Sequence, residues 1–351
     1  MRIGIPREIK TLEGRVGLVP EACAELVKAG HRVCLETGAG DASGFSDEAY
    51  RALGVDIVAD AATVYGENEL IVKVKEPVGE ELGLLREGHL LFSYLHLAAN
   101  EELTRSLLET GLTAVAFETV QEGERLPLLA PMSDIAGRLA IQIGTTLLHR
   151  PQGGKGLLLG GLPAAERGRV VVLGAGNAGG NAARMAAALG AQVVVFDKKP
   201  AALERMRALG ENVTALYPYT AEVTREVARA DLVVGAVLIP GASAPRVLDA
   251  GQVAAMAEGG VVVDIAVDQG GCIETTRPTT YEAPTYRVDG VTHFCVTNMP
   301  GAVPRSASQA LSASLIPYVL ELAGADWRAH PALRAGINVE RGRVVHPGLG
   351  G

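Results

Sequence analysis

The sequence predicts an α/β protein of two domains, each built on a mostly parallel sheet. Three observations predict it. The chain's 351 residues suit two hydrophobic cores better than one. Apolar runs of strand length alternate with helix-like segments throughout. Glycine is abundant, at 43 residues, while aromatics make up 4%, which suits tight strand-to-helix turns over aliphatic cores better than a β-sandwich.

Taken in order, Arg2–Ile5 reads as a strand, Pro20–Ala29 as a helix and His31–Leu35 as a second strand. Leu70–Val74 and His89–Leu95 follow as strands, then a helix over Glu101–Glu109 and a strand over Thr113–Phe117. Gly30 and Gly111 stand where helices should stop. After a polar break at Gln121–Arg125, Ser133–His149 reads as a long helix leading into the glycine-rich Gln152–Gly161. From Arg169 the pattern sharpens. Val170–Leu173 and Gln192–Phe196 are continuous apolar runs, as expected of strands buried on both faces. Asn181–Leu189, Pro200–Leu209 and Ala221–Arg229 read as helices, and Val213–Leu216, Leu232–Leu238, Val261–Ala266 and Phe294–Thr297 as strands. This is the pattern of a doubly wound sheet. Helix returns over Ser308–Leu322, and the tail from Gly336 reads as poorly ordered. The expected division is residues 1–128 plus 304–351 against 129–303.

Composition excludes several classes. The formal net charge of −8, without any run of Lys and Arg, argues against nucleic acid. No apolar run approaches the roughly 20 residues that cross a bilayer. The N-terminus already reads as a strand rather than a secretion signal. Cys23, Cys34, Cys272 and Cys295 form no metal-ligand spacing and read as reduced, buried thiols of a cytoplasmic protein.

Gly174-Ala175-Gly176-Asn177-Ala178-Gly179 matches G-x-G-x-x-G. Alone the match is weak; here it follows a buried strand, opens a helix and precedes a second strand ending at Asp197. Gly174 permits the turn, Gly176 admits a pyrophosphate, and Gly179 allows close helix–strand packing. The helix N-terminus adds unpaired N–H groups. An acid at position 197 can accept both ribose hydroxyls and repel a 2′-phosphate, which selects NAD over NADP. The second domain is therefore expected to be an NAD-binding Rossmann fold. The first is expected to be Rossmann-like, with a cleft between the two. In that first domain Arg15 follows the first strand, while Lys75 and His96 end apolar runs. Strand C-termini face the ligand crevice in such sheets.

These segments resemble the alanine dehydrogenase family, which includes the NAD-binding subunits of transhydrogenases. The resemblance spans essentially the whole chain. It rests on Gly4-Ile5-Pro6-Arg7-Glu8 with Arg15, Val74-Lys75-Glu76-Pro77, Leu95-His96-Leu97-Ala98 and Leu129-Ala130-Pro131-Met132-Ser133. It continues through Ala136-Gly137-Arg138, Gln152–Gly156, Gly174–Gly179, Gly235–Gly241, Asp264–Gly271 and Asn298-Met299-Pro300.

The resemblance implies interconversion of L-alanine with pyruvate and ammonium in a homohexamer. It implies that Arg15 binds the substrate carboxylate, Lys75 polarises the carbonyl or imine, and His96 is the general acid/base. Asp268 would orient the attacking water or amine, and Tyr94, Leu129 and Met132 would line the side-chain pocket. For the cofactor it implies Ser133, Gly174, Gly176, Asn177, Ala178, Gly179 and Asp197. It adds Leu238, Ile239, Ile265, Ala266, Val267, Asp268, Val296, Thr297, Asn298 and Met299. Position 202 is Ala where the family commonly has a basic residue, which leaves Lys198 or Lys199 for the adenosine half. Plainer uses stand beside these: Arg15 as a surface loop residue, Lys75 as a solvated strand end, His96 as a structural histidine, Asp268 as a turn former. Two other functions remain open: a hydride-transfer subunit of a proton-translocating transhydrogenase, and a dehydrogenase for a different amino acid.

Overall fold

In a computed structural model the described residues, 1–237 and 244–349, form two compact units, Met1–Met132 with Gly301–Gly351 and Ser133–Pro300. Strands β1 (Arg2–Ile5), β2 (Arg32–Glu36), β3 (Asp56–Val58), β4 (Leu70–Val72), β5 (Leu90–Ser93) and β6 (Thr113–Ala116) come first. Next are β7 (Arg169–Leu173), β8 (Gln192–Phe196), β9 (Val213–Leu216), β10 (Leu232–Gly235), β11 (Val261–Asp264), β12 (Thr285–Val288) and β13 (Val291–Phe294). Strands β14 (Ile337–Glu340) and β15 (Arg343–Val344) close the order.

The first unit's sheet runs β15-β14-β6-β5-β4-β1-β2-β3. From β3 to β6 every pairing is parallel. The chain starts at the centre, winds outward through β2 and β3, then returns to β4 on the other side of β1. That reversal makes β1/β4 the topological switch point, where ligands bind in such sheets. Beyond β6 the tail corrects its expected disorder. Strand β14 pairs antiparallel with β6, Ile337 opposite Val115 and Val339 opposite Ala114, and turns back into β15. Ile337 is 7% exposed and Val339 fully buried. Burying them and pairing the open edge of β6 outweighs a run too short and too flanked by polar residues to read as a strand.

The second sheet runs β12-β13-β11-β10-β7-β8-β9, parallel except for β12, with its switch point at β7/β10. Strands β10 and β11 are buried throughout, and β7 and β8 at every residue but the first. Their uninterrupted Val-rich runs follow from cover on both faces. Two boundaries move. The strand expected over Phe294–Thr297 is β13, Val291–Phe294, and it forms a hairpin with β12. The turn is Asp289-Gly290, both at positive φ (48° and 78°), the preferred chemistry of two-residue hairpin loops. The run expected to reach Leu238 stops at Gly235.

Candidate active site

In the second unit the glycine loop leaves β7. Gly174 has φ +96°, and a Cβ there would lie 2.6 Å from the Ala236 carbonyl oxygen. A Cβ on Gly179 would lie 1.8 Å from the Gly174 oxygen, so helix Asn177–Ala188 reaches the strand only because position 179 has no side chain. At Gly176 the same Cβ would meet no protein atom within 4 Å. The backbone there faces open space, and the helix begins without a side-chain cap. Its first N–H groups are thus available to an anion. The half-buried Asp197 is already oriented by the backbone: Oδ2 accepts from the Ala175 N–H at 2.7 Å and Oδ1 from the Lys199 N–H at 2.8 Å. Each carboxylate oxygen keeps a second lone pair for a ribose hydroxyl. Donor set, open backbone and acid together fit a dinucleotide with two free ribose hydroxyls.

A second loop follows β11. Its anchor is Asp264, fully buried, whose carboxylate accepts from Ala266 N (3.0 Å), Cys272 N (3.0 Å) and Thr276 Oγ1 (2.7 Å). Burial raises its pKa, and these hydrogen bonds partly oppose the shift. The loop carries Ile265, buried Ala266 and Val267, and exposed Asp268. Val296 and Met299 are buried, Asn298 half-buried, and the Met299 carbonyl accepts from Tyr281 at 2.9 Å; Thr297 is exposed and Ser133 half-buried. Leu238 and Ile239 lie outside the described residues.

In the first unit, Arg15 is no surface residue: it is 3% exposed. Its Nε and Nη2 donate to Glu13 Oε1 and Oε2 at 2.6 and 2.5 Å, and Nη1 reaches Met132 Sδ at 3.1 Å. Burial disfavours the charge, but the bonded Glu13 carboxylate outweighs that and raises the pKa. The loop is pinned on both sides of Arg15. Ser43 Oγ donates to the Gly14 carbonyl, and Ser308 and Ser312 of helix Pro304–Leu322 accept from Val16 N and Val19 N.

Lys75 lies three residues beyond β4. Burial, then the nearby Arg15 charge, lowers its pKa. Glu8 Oε1 accepts from Val74 N at 2.6 Å and Lys75 N at 3.3 Å, fixing the backbone that carries it. Glu8 belongs to a buried charge cluster. Lys73 Nζ lies 2.5 Å from Glu81 and 3.7 Å from Glu8, and Tyr65 donates to Glu81. Because Lys73 sits closer to Glu81, burial dominates at Glu8 and its carboxyl is pushed up to about 7.

Tyr94 is buried; its hydroxyl donates to the Leu128 carbonyl at 2.5 Å, beside half-buried Leu129. Its ring lies edge-on to Phe117 and stacks 5.8 Å from the imidazole of His96. His96 itself is exposed, three residues beyond β5, with a left-handed backbone (φ +49°). Arg15, Lys75, Tyr94, His96 and Met132 thus gather at the switch-point end of one sheet. The residues that hold Arg15, Lys75 and His96, namely Glu13, Glu8 and Glu118, received no role from sequence, nor did Asp264, which holds the loop after β11. Only Glu13 offered a local signal, two positions before Arg15.

Among the described residues no helix is long and apolar enough to cross a membrane, and no group of three His, Cys, Asp or Glu is placed to hold a metal. The four cysteines are buried and free.

Comparison with known proteins places these features in a family. Residues 4–136 match the model of the alanine dehydrogenase/PNT N-terminal domain, and residues 140–347 that of the C-terminal domain. The alanine dehydrogenase of Mycolicibacterium smegmatis is 48% identical over 351 residues, covering 98% of this chain and 95% of that protein. A solved L-alanine dehydrogenase superposes with a TM-score of 0.96 at 50% identity, covering 99% of this chain and 98% of the other. A transhydrogenase from Sinorhizobium meliloti superposes with a TM-score of 0.86 at 28% identity, covering 99% of both chains. The chain belongs to the alanine dehydrogenase/PNT family.

Proposed function

We propose that the protein is an NAD-dependent L-alanine dehydrogenase, reversibly converting L-alanine to pyruvate and ammonium. The observation that carries this reading is the buried Arg15, locked by Glu13 beside a lysine whose charge burial disfavours. A guanidinium held in one plane suits an α-carboxylate. A protein that only carries hydride between nucleotides would not need Arg15, Lys75 and His96 together.

The glycine loop and Asp197 would hold NAD, which would supply the hydride-transfer chemistry at Cα. The remaining work falls to side chains. Arg15 pairs with the substrate carboxylate. Lys75 donates to the carbonyl oxygen of pyruvate or to the hydroxyl oxygen of the carbinolamine and withdraws electron density from carbon. Its lowered pKa makes its proton easier to give up. His96 takes a proton from the water that adds to the imine and returns one as ammonium leaves, a task suited to imidazole. Asp268 orients that water or ammonia. Tyr94, Met132 and Leu129 offer apolar surface to the methyl group. Ser133, Leu238, Ile239, Ile265–Asp268 and Val296–Met299 complete the cofactor contacts. A cytoplasmic homohexamer is part of the same reading, by resemblance.

The test is direct. The purified chain, given NAD and L-alanine alone, produces NADH and pyruvate. No NADH with alanine, but hydride exchange between nicotinamide nucleotides in the presence of a partner, would replace this reading with the transhydrogenase one.

A further inference from the structure

We propose that Glu118 is a positioning residue for His96, fixing the imidazole through the backbone that carries it. His96 is in the left-handed region (φ +49°, ψ 41°), where a non-glycine side chain is strained. Such a conformation persists only when its surroundings impose it. Here the imposing group is the Glu118 carboxylate. Oε1 accepts from His96 N at 2.6 Å, and both oxygens accept from Leu95 N, at 3.2 and 3.3 Å. A carboxylate bonded to consecutive N–H groups is a strong, charge-assisted clamp.

The clamp is itself held. Glu118 lies in the short turn Phe117–Thr119 that ends β6. Phe117 is fully buried and packs edge-on against Tyr94, with ring centroids 5.0 Å apart. Thr119 Oγ1 reaches Asn338 Oδ1 of β14 at 2.7 Å. One turn therefore braces Tyr94, which stacks on the imidazole, and grips the backbone of Leu95 and His96. No catalytic contact of Glu118 is needed: without the carboxylate, the left-handed turn relaxes and the exposed imidazole swings.

This rests on His96 being the acid/base, and one double-mutant cycle separates the two ideas. Wild type, Glu118→Ala, Glu118→Gln, His96→Ala and His96→Ala/Glu118→Ala are compared for kcat, the KM for pyruvate and NAD binding. Displacing a reacting group by about 1 Å can cost about 100-fold, so Glu118→Ala lowers kcat roughly 10- to 100-fold. Pyruvate KM and NAD affinity change little. Glu118→Gln, whose amide oxygen still accepts, recovers part of the loss. On the His96→Ala background Glu118→Ala costs nothing further, because its effect runs through the missing imidazole. Wild-type kcat in Glu118→Ala, or losses that multiply in the double variant, would overturn the positioning role while leaving His96 intact. Near-normal kcat in His96→Ala would overturn both. If Glu118→Ala does not fold, Glu118→Gln serves in the same cycle, with a smaller loss that must likewise vanish without His96.

Discussion

The two units use one strand plan for different ends. Sheet orders β3-β2-β1-β4-β5-β6 and β9-β8-β7-β10-β11-β13 correspond strand for strand. What differs is the connection leaving the central strand. After β7 it is a tight glycine turn running straight into a helix, so the backbone itself is presented to a ligand. After β1 the chain runs fourteen residues, Pro6 to Val19, before its helix begins. That length allows a buried Glu13–Arg15 pair and presents side chains instead. Backbone N–H groups suit a phosphate, which offers no fixed plane, whereas a planar guanidinium matches a carboxylate. One strand plan can thus present backbone to a nucleotide or side chains to a small acid, according to the loop that leaves its central strand.

Variants should divide along the same line. The largest effect is expected from His96→Ala, with turnover falling roughly 10²–10⁴-fold while NAD binding, measured by fluorescence titration, stays at the wild-type value. Near-normal turnover would move the proton transfers elsewhere. Asp268→Asn, from the second unit, should also cripple turnover, which makes it the exception worth measuring beside His96→Ala.

The buried charge cluster behind Lys75 gives the next effect, on stability. The Glu8 carboxyl is raised to about 7, so the folded protein holds a proton that the unfolded chain releases above its ordinary value of 4.5. The resulting stability is fully present below pH 4.5 and lost as pH rises to 7. The loss is on the order of 3 kcal/mol. Denaturant unfolding at pH 5 and pH 8 should show this decline in wild type and not in Glu8→Gln. Equal declines in both would assign it to other groups.

Arg15→Lys keeps the charge but loses the planar fork. The KM for pyruvate should rise roughly 10- to 100-fold, from the 1.5–3 kcal/mol of a charged hydrogen bond, with NAD affinity unchanged. An unaltered pyruvate KM would show that the carboxylate binds elsewhere. The smallest effect belongs to the nucleotide side. Asp197→Ser, which loses the acid between Ala175 N and Lys199 N, should narrow the preference for NAD over NADP by about 10-fold. Equal efficiency of wild type with both cofactors would remove the role given to Asp197.

What could be read from the chain alone was whatever depends on neighbours in sequence. The strand–glycine turn–helix–strand stretch from Arg169 to Asp197 is one such case, because a single βαβ unit sets its spacing. The Val-rich strands are another, since burial on both faces leaves its mark residue by residue. Tertiary structure decided the rest. Glu118 meets His96 across 22 positions and Glu8 meets Val74 across 66, and both contacts depend on which strands lie side by side. Strand β14 exists because β6 has an open edge to pair and a surface on which to bury Ile337 and Val339. The left-handed turn at His96 likewise leaves no trace in its own residues. It is imposed by a carboxylate from the turn that ends the neighbouring strand β6. A pattern of residue types records which side chains are buried, whereas the partner that holds a strained or charged group is chosen by strand order.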